Sequence, residues 1–261
     1  TDGQPLNLRV NNVGIGRFAT NGAVQIGVGA FATDNNSFAI GKDAKAVYEA
    51  TSLGMGANAS GNESIALGKN SKSIYQGTAI GLGAINTGNQ SVALGYGASS
   101  SYQSTAFGYN ALTSANNAIA IGNASNSASQ NAISIGTSTL TNRNNGIAIG
   151  NQAKAKDYDH TLAIGNEALI LNETGSYNVA LGYRAGYSSD SSNKLYIANG
   201  DGADYQLLYG DFSTGDLSLG KTSGTVTILN DADIDGTLTL GSLSDVESSI
   251  NTNSTNAEAI M

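Results

Sequence analysis

Short apolar stretches ending in glycine recur along this chain at a nearly constant interval. Ser37-Phe-Ala-Ile-Gly41, Ser64-Ile-Ala-Leu-Gly68, Ser91-Val-Ala-Leu-Gly95, Ala118-Ile-Ala-Ile-Gly122 and Gly146-Ile-Ala-Ile-Gly150 share one grammar. Large apolar residues stand two apart with a small residue between them, so in an extended strand the two kinds point to opposite faces. The closing glycines are Gly14, Gly27, Gly41, Gly54, Gly68, Gly81, Gly95, Gly108, Gly122, Gly136, Gly150, Gly165 and Gly182, in steps of 13 to 17 residues with a mean of 14. A polar pair usually follows, then a second small-residue stretch such as Ala44-Lys-Ala46 or Ser71-Lys-Ser73. A coil of that length holds two short strands and two tight turns and has no room for a useful helix. The pattern predicts an all-β parallel solenoid whose coils stack at about 4.8 Å.

A second period lies on the first. Phe38, Ile65, Val92 and Ile119 are 27 apart, and Thr51, Thr78 and Thr105 fill the same slot on alternate coils. Tyr48, Tyr75 and Tyr102 keep the same beat. Coils of 13 and 14 residues therefore alternate in the middle of the rod, and beyond Gly122 the double period gives way to a plain one. Ile40, Leu67, Leu94, Ile121, Ile135, Ile149 and Ile164 each precede the coil glycine and are expected to stack as one buried row. The Ala, Ser and Gly face is expected to be covered by neighbouring chains, because a coil two strands wide buries little alone. Oligomerisation follows from that thinness.

After Gly182 the beat is lost. Lys194–Ala198, Tyr205–Tyr209, Asp216–Gly220, Thr225–Leu229 and Gly236–Gly241 read as period-two strands between turn residues. Leu243, Val246, Ile250, Asn253, Ala257 and Ile260 follow with the 3,4 spacing of an a/d seam, as at the start of a coiled coil. The expected organisation is an N-terminal cap at 1–13, coils at 14–187, a β-rich connector at 188–242 and a coiled-coil start at 243–261. The chain begins at Thr1 rather than Met and reads as a piece of something longer.

Composition narrows the function classes. Glycine makes up 34 of 261 residues, charged residues only 12 %, and there is one His, one Pro and no Cys or Trp. Disulfide scaffolds and Cys-based metal sites are excluded, and little is left for acid–base catalysis. A net charge of −8 argues against nucleic acid as a partner, and no apolar run is long enough for membrane insertion by this segment. Twelve Tyr against five Phe suits a surface that keeps hydroxyls wet. Tyr48, Tyr75 and Tyr102, with Tyr96 and Tyr109 just after coil glycines, are the candidate ligand platforms. The competing role for the same rings is packing over turns of the next coil or subunit.

The coil text Ser91-Val-Ala-Leu-Gly95 and its relatives resemble the head repeats of trimeric autotransporter adhesins. That resemblance spans about residues 14 to 186 and implies a left-handed parallel β-roll, a homotrimer, a coiled-coil stalk and an extracellular place on the bacterial cell surface. Ile250 and Asn253 resemble the stalk pattern in which a core Asn holds an anion on the trimer axis, although the usual Thr after it is Ser254 here. Tyr183-Arg-Ala-Gly, Leu195-Tyr-Ile-Ala-Asn and Leu208-Tyr-Gly-Asp-Phe-Ser-Thr are more similar to tail-fibre proteins of phages and injection systems, which implies a virion or tail-fibre location as the alternative.

Four other motifs yield to plainer readings. Gly215-Asp-Leu-Ser-Leu-Gly220-Lys221-Thr222 spells a phosphate loop, but a strand-like run replaces the required helix. Gly27-Val-Gly-Ala-Phe-Ala32 and Gly54-Met-Gly-Ala-Asn-Ala59 imitate a dinucleotide fingerprint, yet recur on the coil beat as turn glycines. Asp231, Asp233 and Asp235 copy half a calcium loop, with Ser242 where the bidentate Glu belongs, and are expected to form an acidic turn. Asp157, Asp159 and His160 are expected to form a solvated turn rather than a metal site. The sequence thus predicts a non-enzymatic, cofactor-free trimeric adhesin segment that binds a surface receptor, glycan or matrix protein, by multivalent display. A receptor-binding tail fibre is the alternative and an ice-binding solenoid a lesser one.

Overall fold

The computed structural model describes residues 3–156, 159–172, 174–220 and 226–227. The chain divides after Gly224 into two compact units, and every element below belongs to the first. Each coil supplies a three-residue strand such as Phe38–Ile40 and a two-residue strand such as Lys45–Ala46. Three-residue strands pair in parallel register from coil to coil, Phe38 with Thr51 and then Thr51 with Ile65. Two-residue strands build a second parallel sheet of ten, Lys45 pairing with Asn58. The first sheet has 17 strands, of which the two at either end run antiparallel. The solenoid expected from the glycine beat is therefore present.

What fills it differs from the expectation. Each coil turns four small residues inward: Ser37, Ala39, Ala44 and Ala46 in one, Ala50, Ser52, Ala57 and Ala59 in the next, all fully buried. The row from Ile40 and Leu67 to Ile164 stacks in register but lies on the outer face, half-buried. Along most of the coils the two sheets hold nothing larger than Ala, Ser, Thr or an occasional Asn between them; Leu169, fully buried near the C-terminal end, is larger. The small-residue face thus needs no neighbouring chain, because the coil's own second sheet covers it. It is the large aliphatic face that stands open.

Several interior positions are polar and bond to one another. Thr139 Oγ1 donates to Ser125 Oγ at 2.9 Å, and Ser125 Oγ to the Ser134 carbonyl at 2.8 Å. Asn86 fits only because Gly77 lies beside it: a Cβ there would come within 2.4 Å of Asn86 Oδ1. Larger side chains close the interior at both ends. Gln25 takes the register position of Ala39 at one end, and Tyr196 that of Ala180 at the other. Gly14, first of the beat, falls in the antiparallel strand Val13–Phe18 rather than in a coil turn.

Beyond Val179–Leu181 the parallel ladder takes in Lys194–Ala198, and Gln206–Asp211 and Asp216–Leu219 complete an antiparallel meander. The expected strands 225–229 and 236–241, the acidic turn Asp231, Asp233 and Asp235, and the 243–261 seam with Asn253 lie outside the described residues, apart from Val226 and Thr227. Lys194 Nζ donates to Asp211 in that meander, and Ser213 donates to the same carboxylate from its hydroxyl and backbone N–H. These bonds, Lys194 first, hold the Asp211 carboxyl well below the usual carboxylate range. A depressed carboxyl stabilises the fold above the unfolded value of about 3.9, and that contribution is lost as pH falls below it. Protection of the Gln206–Asp211 amides, measured relative to the unfolded chain, should therefore fall below about pH 4, and Asp211→Asn should remove that pH dependence.

Candidate functional site

The candidate tyrosines occupy two separate edges of the solenoid. Tyr48, Tyr75 and Tyr102 lie on the turn leading from a two-residue strand back to the next three-residue strand. Their exposures are 54 %, 59 % and 52 %, so about half of each residue is open to solvent. Tyr96 and Tyr109 lie on the opposite edge, directly after coil glycines, and stack on each other at 5.1 Å with planes 9° apart. The five side chains therefore fall into two groups, not one.

Backbone conformation sets the first edge apart. Tyr48 and Glu49 both have positive φ, 56° and 58°, as do Tyr75 and Gln76 at 30° and 49°. Two left-handed residues in succession make a tight reversal, which closes these two 13-residue coils; in the third, Gln103 is left-handed at 49° and Tyr102 is not. Glycine would adopt that conformation freely, whereas a bulky residue there costs about 1–2 kcal/mol. Tyrosine held at such a position suggests a use for the ring. Sequence reasoning found the column by its period and had no access to its strain.

Beside the rings on the same edge runs a file of polar side chains, in which Gln76 donates to Glu63 and Gln103 to Gln90, and it continues past the last ring as an amide ladder. Asn117 Nδ2 donates to Asn131 Oδ1 at 3.2 Å, Asn131 Nδ2 to Asn145 Oδ1 at 3.0 Å, and Asn145 meets His160 at 3.4 Å. His160 stacks on Tyr177 at 5.8 Å, and Asp159 Oδ1 accepts from the Asn144 backbone N–H at 3.1 Å. His160 and Asp159 thus serve the coil turns, and no group of three potential ligands able to hold a metal occurs among the described residues. Asp157 lies outside the described residues.

The outer face of the 17-stranded sheet is open. It carries two files of side chains, one running Val24, Phe38, Thr51, Ile65, Thr78 and Val92 and the other Ile26, Ile40, Leu53, Leu67, Ile80 and Leu94. The antiparallel ends reverse strand direction without changing the face. Phe18 pairs with both Leu6 and Val24 at one end, and Leu208 with both Ile197 and Leu219 at the other. Threonine stands only in single file on alternate coils, which is not the flat double ladder an ice-binding surface needs.

A model of the YadA head domain repeat (2 copies) matches residues 23–44, 48–71, 75–98, 99–125, 128–153 and 144–168. Among solved structures, the chain is similar to the collagen-binding domain of the Yersinia adhesin YadA, at 32 % identity over 51 % of this chain and 76 % of that one, with a TM-score of 0.44. No curated protein matches the chain. The family match falls on the parallel coils throughout and covers more than half of the sequence, so the chain belongs to the YadA head-repeat family and is an adhesin segment.

Proposed function

We propose that the chain is a non-enzymatic head segment of a homotrimeric adhesin displayed on the bacterial cell surface, and that its receptor is a matrix protein of extended, polyproline-type conformation. The observation that carries the receptor is a spacing. Tyr48, Tyr75 and Tyr102 recur every second coil, so their rings repeat at about 9.6 Å, twice the strand separation. A polyproline-type helix repeats every three residues at about 3.1 Å rise, or about 9.3 Å per turn. Aromatic platforms at that interval meet the same face of such a helix turn after turn, the mode by which Pro-rich segments dock on aromatic grooves. The Yersinia domain is described as collagen-binding, and a collagen chain has this conformation. Residues 243–261 would begin the coiled-coil stalk, with Asn253 holding an anion on its axis.

Three chains presenting the column make each contact weak and the sum strong. Single Tyr→Ala changes should cost little, whereas the triple change at 48, 75 and 102 should abolish binding to a triple-helical Gly-Pro-hydroxyproline peptide while its melting curve stays unchanged. Preference for a neutral glycan over the peptide would move the receptor class to saccharides. A triple variant that melts and binds normally would remove the column from the site.

A further inference from the structure

We infer that the N-terminal mouth of the solenoid is a separate binding site for an acidic saccharide, one bearing sulfate or carboxylate groups. Along the coils, the inward face of the 17-stranded sheet is covered by the second sheet, which begins only at Phe31–Ala32. The strands Leu6–Val10 and Val13–Phe18 lie beyond that cover, so their inward side is open. It is polar and cationic: Asn7, Arg9 and Arg17 share it with Gln25, Asn7 pairing with Arg17 and Arg17 with Gln25. Together they line a pocket of about 310 Å³ whose walls are otherwise mostly glycine backbone.

The charge there is out of keeping with the rest of the chain. The protein carries 20 acidic residues against 12 basic ones and has only four arginines, yet two of those four line this one pocket. Arg9 donates to the Asn12 carbonyl at 2.9 Å, which leaves most of its donors free. Among the described residues neither guanidinium is paired with a carboxylate. A planar fork of donors without an internal acceptor matches an oxyanion in bidentate fashion. The volume, at the small end of ligand pockets, suits one charged sugar unit rather than a long apolar ligand. Its polar side chains Asn7, Arg17 and Gln25 share the register file of Ala39, opposite the aliphatic files.

Calorimetric titration of the trimer with three tetrasaccharides tests this. One is heparin-derived and sulfated, one is unsulfated heparosan that keeps only its carboxylates, and one is neutral poly-N-acetyllactosamine. At least one of the anionic pair should bind, more weakly as salt is raised, and which of them binds identifies the group. The neutral one should not bind. Arg9→Gln with Arg17→Gln should weaken binding about tenfold or more, the loss of charge-assisted hydrogen bonds. Lys42→Gln with Lys69→Gln, on the glycine edge, should change it little. Should the glutamine pair fail to fold, Arg9→Lys with Arg17→Lys keeps the charge and should still weaken binding by removing the fork. The inference is overturned if neither anion binds, if the arginine variants bind like the parent, or if the lysine pair loses as much. The triple tyrosine variant should bind the tetrasaccharide normally, which separates this site from the receptor column.

Discussion

Alanine at Gly95 is expected to unfold the coils on both sides of it. Gly95 has φ of +136°, a region closed to ordinary L-residues, and a Cβ placed on it would lie 2.2 Å from the carbonyl oxygen of Gly108. That oxygen is backbone in the next turn of the ladder and cannot swing away. Strain and collision together should cost about 3 kcal/mol or more. Contacts run only between neighbouring coils, so the damage should stay local. Hydrogen exchange should show lost protection near residues 81 to 108, with the distant coils intact. Gly83→Ala is the matched control, two residues beyond the preceding coil glycine. Its φ is +67°, nothing lies within 4 Å of the added carbon, and the equivalent position in a later coil is already Ala124 at φ 52°. It should cost only about 1 kcal/mol. Equal effects from the two substitutions would mean that the coils do not approach as closely as described.

The same glycines explain how much of the fold was legible. A residue type demanded by close backbone approach repeats wherever the approach repeats, so Gly41, Gly54 and Gly68 announced both the coil and its length. Strand alternation was equally plain, but which side of it faces inward was not. Both Ala93 and Leu94 are apolar, and the usual preference for burying the larger residue gives the wrong answer when the sheets sit one small side chain apart. Strand direction was hidden as well. Gly14 lies on the beat, yet its strand runs antiparallel, because a spacing of glycines carries no information about chain reversal. The tyrosine column was found by period alone. The left-handed backbone of Tyr48 and Tyr75, the column's separation from Tyr96 and Tyr109, and the placing of Arg9 and Arg17 on one side of an uncovered sheet end all depend on how the coils and strands close and lie beside one another.

Adjacent residues with opposite orientations give the strongest test of assembly. Ala93 is fully buried inside the coil and Leu94 is half-buried on the open face. Ala93→Asp places a carboxylate between two sheets that have no partner for it and should prevent the local coils from forming, whether the protein is a monomer or a trimer. Leu94→Asp has no such effect within one chain, since its side chain reaches solvent there. If three chains cover the face, each trimer instead buries three unpaired carboxylates, at several kcal/mol apiece. The parent should sediment at about 79 kDa, three times the 26.4 kDa chain. Leu94→Asp should release 26.4 kDa monomers that keep the β-rich circular dichroism of the coils but melt at far lower temperature. Retention of a trimer with an unchanged melting curve would show that the aliphatic face is not where the chains meet, and the surface that joins them would then have to be sought on the outer face of the ten-stranded sheet or on one of the two turn edges.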